Sequence, residues 1–300
     1  MNGKSPDRNH TLLAVLAHPD DESFGMGGTL ALYAQRGAAV HLACATRGEV
    51  GEVEAHFLEH FASIGDLREN ELRCAAGMLG LAGVHFLGYR DSGMPGSPEN
   101  VHPNALAAAP LDEVAAKVAH LIRKLRPQVV VTFDPVGGYR HPDHIAIHQA
   151  TVKAFYAAGD ATVYPGEEPA YQPQKLYFHT FPRGWLKWAL RLMPLVGKDP
   201  RHFGQNGDID LVVLAQDDFP VHARIDFSPV KELKEKASAC HASQGGMTEQ
   251  SGLLRYVLRL TAARESFMRA YPEATPGLRE GDLFDGIREH ESINDEARNS

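Results

Sequence analysis

Cysteine is scarce in this chain. Cys44, Cys74 and Cys240 are the only three in 300 residues, odd in number, far apart, and without a CxxC pair. Neither a thiolate zinc site nor a redox dithiol is indicated, and a reducing, cytoplasmic setting fits. No run of about 18 uncharged apolar residues exists, so no membrane span is expected. Residues 1–10 are polar, lack the apolar stretch of a secretory signal, and read as a disordered leader. Positive charge is not in excess: the formal net charge is −8, which argues against a nucleic-acid partner. Internal repeats and low-complexity segments are absent. With 43% hydrophobic and 23% charged residues, the chain can bury a core without staples, which excludes the disordered, fibrous and disulfide-framed classes. Histidine, by contrast, is plentiful: sixteen residues are a reason to look for a metal.

Leu12–Ala17 is a short continuous apolar run, the pattern of a strand buried on both faces of a parallel sheet. Further strands are expected at Val40–Ala45, Val84–Leu87 and Val129–Phe133. They alternate with helices over Phe24–Arg36, Leu67–Leu79, Leu111–Leu125 and Ile145–Ala158. This alternation predicts an α/β fold with a mostly parallel sheet and helices on both faces. Beyond residue 160 the pattern loosens. Strands at Lys175–His179 and Val221–Ile225, a helix over Pro229–Ala242 and a last helix over Leu253–Met268 are expected. The reading is one domain over 11–270, with a catalytic core over 11–160, a C-terminal elaboration over 161–270 and a polar tail over 271–300.

In an open α/β sheet, ligands gather outside the carboxyl ends of the strands. Two acid–imidazole clusters fall there: Ala17-His18-Pro19-Asp20-Asp21-Glu22 after the first strand, and Tyr139-Arg140-His141-Pro142-Asp143-His144 after the fourth. Either alone reads as a turn, with proline fixing φ and aspartate capping a helix. Together at the ends of one sheet they read as a metal site. Catalytic zinc takes about three protein ligands and leaves a position open, and hydrolysis also needs a base that is not a ligand. Adjacent aspartates suit that division of labour. The ligand types favour zinc and also admit iron or manganese.

These two segments resemble the signature motifs of the LmbE-like, or PIG-L, zinc-dependent N-deacetylases. Thr46-Arg47-Gly48-Glu49, Arg68-Glu69-Asn70-Glu71 and His241-Ala242-Ser243-Gln244 resemble further elements of that family, and Tyr89-Arg90-Asp91-Ser92-Gly93-Met94 is similar to its mycothiol-pathway branch. The resemblance spans roughly residues 11–245. It implies a Rossmann-like fold, a Zn2+ cofactor (with Fe2+ as another occupant) held by His18, Asp21 and His144, and Asp20 as general base. It further implies a protonated His141 as electrophilic or acid partner, Asp143 orienting the His141 ring, and Tyr139 at the oxyanion. Arg68, Asp91 and Glu49 match substrate-binding positions. The implied reaction is hydrolytic deacetylation of a small N-acetylglucosamine-containing molecule, a low-molecular-weight thiol precursor, by a homo-oligomer, trimer or hexamer. Two alternatives stand beside it: a zinc amidase of thiol S-conjugates, and a non-catalytic sugar- or metal-binding protein, against which the intact Asp20 argues.

Four features stand outside these motifs. Gly25-Met26-Gly27-Gly28 does not match the spacing of a dinucleotide loop and is expected to allow close helix–sheet packing. His148, one turn beyond His144, is expected to be a hydrogen-bonded packing histidine. His102 lies in a Pro/Gly-rich loop, Pro95–Pro110, expected near the mouth of the site. Phe181–Lys198 is basic and aromatic and is expected to be a lid or a subunit contact.

Overall fold

The protein is seen here in a computed structural model that describes residues 9–181, 215–245 and 263–288, with isolated positions at 190, 193, 199 and 212. Among the described residues, seven strands form a single sheet: β1 (Thr11–Leu16), β2 (Ala39–Cys44), β3 (Gly83–Phe86), β4 (Val129–Phe133), β5 (Lys175–Thr180), β6 (Ala223–Asp226) and β7 (Arg264–Tyr271). Their order is β3-β2-β1-β4-β5-β7-β6. The first five run parallel, and β7 pairs antiparallel with both β5 and β6. β1, at the centre, is apolar on both faces because both are covered: Leu12 to Leu16 are at most 1% exposed.

The helices are α1 (Asp21–Phe24), α2 (Gly27–Gln35), α3 (Ile64–Leu79), α4 (Leu111–Leu125), α5 (Gly137–Arg140), α6 (Pro142–Ala157) and α7 (Lys231–Cys240). Right-handed crossovers put α2 and α3, which link β1 to β2 and β2 to β3, on one face of the sheet. The return crossover from β3 to β4 puts α4, and then α6, on the other. The packing agrees: α2, α3 and α7 form one group, α4 and α6 a second.

Several expectations change in detail. The helix expected over Phe24–Arg36 is two, α1 and α2, broken at Gly25 and Met26. The last expected helix, Leu253–Met268, fails where it can be seen: residues 264–268 belong to β7, and 246–262 lie outside the described residues. The edge of β5 offers unpaired backbone groups that a strand satisfies, and short apolar runs do not separate strand from helix by period alone. The polar tail is not all tail, since Leu283 and Phe284 are buried in the core and Asp282 accepts the Tyr33 hydroxyl at 2.9 Å. Cys74 on α3 and Cys240 at the end of α7 form a disulfide across 166 residues, which their separation in sequence concealed; Cys44 remains a buried thiol. All but Phe181 and two isolated positions of Phe181–Lys198 lies outside the described residues.

Candidate active site

In a sheet ordered 3-2-1-4-5 the chain reverses direction between β1 and β4, and the crevice outside their carboxyl ends is the natural binding place. The first acid–imidazole cluster follows β1 and the second follows β4, so each flanks that crevice. The loops after β2 and β3 bring Gly48, Glu49 and Asp91 to the same end.

His18, Asp21 and His144 converge. His18 Nδ1 lies 3.3 Å from His144 Nε2, and Asp21 lies 3.3 Å from His144 Nε2 and 3.6 Å from His18 Nδ1. The outer ring nitrogens are committed elsewhere: His18 Nε2 to the Asp143 carboxylate at 3.0 Å, His144 Nδ1 to the Gly137 carbonyl at 3.2 Å. Both partners are acceptors, so each outer nitrogen carries the proton and each inner one presents a lone pair. Two such lone pairs 3.3 Å apart beside a carboxylate require a cation between them. The surroundings favour positive charge there: burial alone would lower the His18 pKa, but Asp91, Asp143 and Asp21 outweigh burial and raise it. Two imidazoles and a carboxylate, braced from behind by a second carboxylate and a carbonyl, fit a divalent metal ion. His141 joins the same group, within 4.8 Å of His18 and His144. Burial opposes ionisation of Asp21, but His144 and His18 hold its carboxyl far below the usual carboxylate range.

Asp20 is not part of that group. Its backbone has a φ of 116°, outside the range ordinary residues favour and costing roughly 1–3 kcal/mol. Its N–H donates to Glu22 Oε2 at 3.0 Å, and its carboxylate accepts from Arg68 Nη2 at 2.9 Å. Burial pushes the Asp20 carboxyl up to about 6, against the pull of Arg68. The buried Arg68 also donates to the Pro19 carbonyl at 2.6 Å and the Gly48 carbonyl at 3.1 Å. Gly48 makes this passage possible: with φ at +67°, it has no side chain where a Cβ would stand 2.1 Å from Arg68 Nη1. Arg68, expected at the sugar, is thus bound to the proposed base and its loop.

His141 caps α6. Its Nδ1 accepts from the Asp143 N–H at 3.2 Å, and Pro142 supplies the first helical residue. Two expectations change as a result. Asp143 meets His141 through its backbone, while its carboxylate serves His18 and accepts from the Ser92 hydroxyl and, at 2.9 Å, from the Ser92 N–H. And the protonated form is disfavoured at His141: burial, together with the neighbouring imidazoles, pushes its pKa well below the ordinary imidazole range. With Nδ1 accepting, neutral His141 carries its proton on Nε2, as a donor. Tyr139 stands 4.9 Å from the His144 ring, centre to centre. Loss of water around its hydroxyl, with the Asp21 and Asp20 charges, raises its pKa and keeps it a donor.

A cavity of about 580 Å³ opens over these groups, walled by His18, Asp20, Arg68, Asp91, Tyr139 and His141. Asp91 accepts from the Gly93 N–H at 2.8 Å and the Val50 N–H at 3.3 Å. Glu49 is not in this wall. It accepts from the Asp91 N–H at 3.1 Å and lines a neighbouring cavity, with His102, of about 550 Å³. Sequence reasoning missed Ser92, Gly48 and Gln244, the last also in the wall; all three sit inside motifs singled out for other residues. It also left His241 without a role, and that side chain is buried against Glu22.

The features weighed outside the motifs resolve simply. Gly28 faces the Phe227 ring where a Cβ would come within 2.2 Å, so close packing is its use. The N–H groups of Gly28 and Thr29 donate to Glu265 at 3.0 and 2.7 Å, so a carboxylate of the chain itself fills the α2 N-terminus. His148 hydrogen-bonds the Phe133 carbonyl at 2.8 Å and packs on Phe178.

Comparison with known proteins agrees with this geometry. The family described as GlcNAc-PI de-N-acetylase (PIG-L) matches residues 13–155. A 1D-myo-inositol 2-acetamido-2-deoxy-alpha-D-glucopyranoside deacetylase of Geodermatophilus obscurus is 40% identical over 242 residues, 78% of this chain and 82% of that protein. Its namesake in Streptomyces scabiei is 37% identical over 294 residues, 93% and 90% of the two chains. Among solved structures, N,N'-diacetylchitobiose deacetylase from Pyrococcus horikoshii matches with a TM-score of 0.59 at 20% identity, over 98% of this chain and 91% of that one. The 4-carboxy-2-hydroxymuconate hydratase of Pseudomonas putida matches with a TM-score of 0.58 at 22% identity, over 90% and 99%. At such identities the likeness is one of fold, and a fold that serves both a deacetylase and a hydratase does not name a reaction. The curated relatives, which share most of their length with this chain, do decide the family: the chain is an amide-hydrolysing enzyme and belongs to the GlcNAc-PI de-N-acetylase (PIG-L) family.

Proposed function

We propose that the enzyme hydrolyses the acetamide of an N-acetylglucosaminyl inositol, a low-molecular-weight thiol precursor, to acetate and a primary amine. One observation carries the reading. An Arg68-paired Asp20 outside the imidazole–carboxylate group, its pKa raised to about 6, stands beside that group in a cavity large enough for a sugar, about 580 Å³.

His18 Nδ1, Asp21 and His144 Nε2 would hold the metal ion, Zn2+ or Fe2+ by ligand type. A divalent cation there supplies Lewis acidity to the amide carbonyl and to water. Asp20 takes the proton of the attacking water; at about 6 its pKa leaves it ionised at pH 7 yet basic enough to act. Negative charge then grows on the carbonyl oxygen. His141 Nε2–H and the Tyr139 hydroxyl donate to it, preorganised donors each worth about 2.7–4 kcal/mol in comparable sites. The leaving nitrogen takes its proton from Asp20, because neutral His141 has none to give without becoming imidazolate. Asp91 lines the cavity for the sugar, Glu49 accepts the Asp91 N–H from the neighbouring cavity, and Asp143 steadies the ligand His18.

The test is release of primary amine from N-acetylglucosaminyl inositol, free N-acetylglucosamine, chitobiose and a thiol S-conjugate, with and without a chelator. Chelator-sensitive preference for the inositol glycoside is expected; preference for the S-conjugate makes the enzyme an amidase. Two further proposals stand beside this one, an oligomer implied by the family and a location implied by the scarce cysteines. A homo-oligomer, trimer or hexamer, is testable by light scattering. A cytoplasmic location has the Cys74–Cys240 bridge against it, since disulfides are rare in reducing compartments, and thiol counting on protein trapped in whole cells decides.

A further inference from the structure

Asp20 holds its unusual backbone conformation with help from a pair of side chains beneath it. Glu22 Oε2 accepts the Asp20 N–H at 3.0 Å, while Glu22 Oε1 accepts from the Ser23 hydroxyl at 2.6 Å and faces His241 Nε2 at 2.7 Å. The side chains of Glu22 and His241 are completely buried, and neither is in the cavity wall, so neither touches substrate. His241 arrives from the end of α7, 219 residues further along the chain, and its other ring nitrogen, Nδ1, has no hydrogen-bond partner. A carboxyl group and an imidazole buried together stabilise a fold less well than apolar residues of the same size. Their use is therefore directional: Glu22 alone supplies the acceptor that the Asp20 N–H finds, and His241 fixes where that acceptor points.

The same segment is also tied to the helix that carries Arg68. Ser243 donates through its N–H at 2.8 Å and its hydroxyl at 2.7 Å to Glu71 on α3. Glu71 lies three residues beyond Arg68, the partner of Asp20 Oδ2. Residues 241–243 thus hold Glu22, which accepts the Asp20 N–H, and anchor to α3, the helix that carries Arg68.

We propose that Glu22 and His241 are a positioning pair that fixes Asp20 in its positive-φ conformation and aims its carboxylate at the reacting centre. The inference rests on Asp20 being the base of the proposed reaction. It also gives the C-terminal elaboration a part in catalysis.

Metal-loaded wild type, His241→Leu and His241→Gln are compared by crystal structure and by steady-state kinetics. His241→Leu removes the hydrogen bond to Glu22, whereas the glutamine amide restores a donor. In His241→Leu, Asp20 is expected to leave its positive φ and its contact with Arg68. kcat should fall about a hundredfold, the cost of misplacing a reacting group by about 1 Å, with KM within threefold and metal content unchanged. His241→Gln should regain at least tenfold of that loss. If His241→Leu does not fold, Glu22→Leu, which removes the acceptor of the Asp20 N–H, serves in its place, with the same expected displacement. An unmoved Asp20, or a kcat within twofold of wild type, overturns the inference. If wild type fails to turn over the inositol glycoside while Asp20 still moves in the variant, the substrate reading fails and the positioning pair stands.

Discussion

Replacing Gly48 by alanine tests how the site is built, because the added methyl group enters the space that Arg68 occupies. A Cβ at Gly48 would stand 2.1 Å from Arg68 Nη1 and 2.4 Å from its Cζ, at a backbone φ of +67°. The left-handed conformation costs a non-glycine residue about 1–2 kcal/mol. Displacing the guanidinium breaks at least one charge-assisted bond among those to Pro19, Gly48 and Asp20, at about 1.5–3 kcal/mol each. A loss of about 2.5–5 kcal/mol follows, a fall in Tm of roughly 4–8 °C for a chain of this size. Catalysis should change in a particular direction. Arg68 lowers the Asp20 pKa that burial has raised to about 6, so moving Arg68 away raises it further. The deprotonated base is the active form, so the acid limb of kcat/KM should move to higher pH. Thermal unfolding and pH–rate profiles of Gly48→Ala, Arg68→Ala and the double variant form the assay. In the Arg68→Ala background the clash is gone, and Gly48→Ala should cost only the backbone share, about 1–2 kcal/mol. A Gly48→Ala enzyme with wild-type Tm and an unmoved acid limb would falsify the reasoning.

Other expectations follow from single contacts. Asp143→Asn loses the charge behind His18 Nε2, so metal affinity should fall about 10–100-fold by competitive chelator titration; wild-type affinity would show that the 3.0 Å contact does not brace the ligand. Leu283→Ala should cost about 2–5 kcal/mol in denaturant unfolding, because the side chain is wholly buried beside Phe284; a neutral outcome would return residues 272–288 to the status of a tail.

Much of this molecule is legible from its sequence, for reasons that differ by region. The parallel core is read correctly because strands buried on both faces are uninterrupted apolar runs, as in Leu12–Leu16 and Val129–Phe133, and because helix α4 stops before Pro127. The convergence of the two acid–imidazole clusters follows from strand order, so residues more than a hundred positions apart are readable as one group. What a motif does not convey is which atom faces which. Asp143 lies two residues from His141, yet its carboxylate serves His18, because capping α6 commits the His141 ring to the Asp143 N–H. Arg68 matches a sugar-binding position in sequence, and only the missing side chain of Gly48 shows how it passes to Asp20. Past residue 160, strand β7 and the burial of Leu283 depend on partners far away in sequence, Tyr33 and the edge of β5, and no local pattern announces either. The Cys74–Cys240 bridge is hidden for the same reason.

The central claim is that Asp20 acts as base without holding the metal. The measurement that addresses it most directly is metal content and single-turnover acetate release, on the same preparation, for wild type and Asp20→Asn. The account predicts full metal occupancy in the variant and a rate lower by about 10²–10⁴-fold. Loss of the metal would make Asp20 a ligand, and a rate near wild type would remove it from the chemistry; either result contradicts the account.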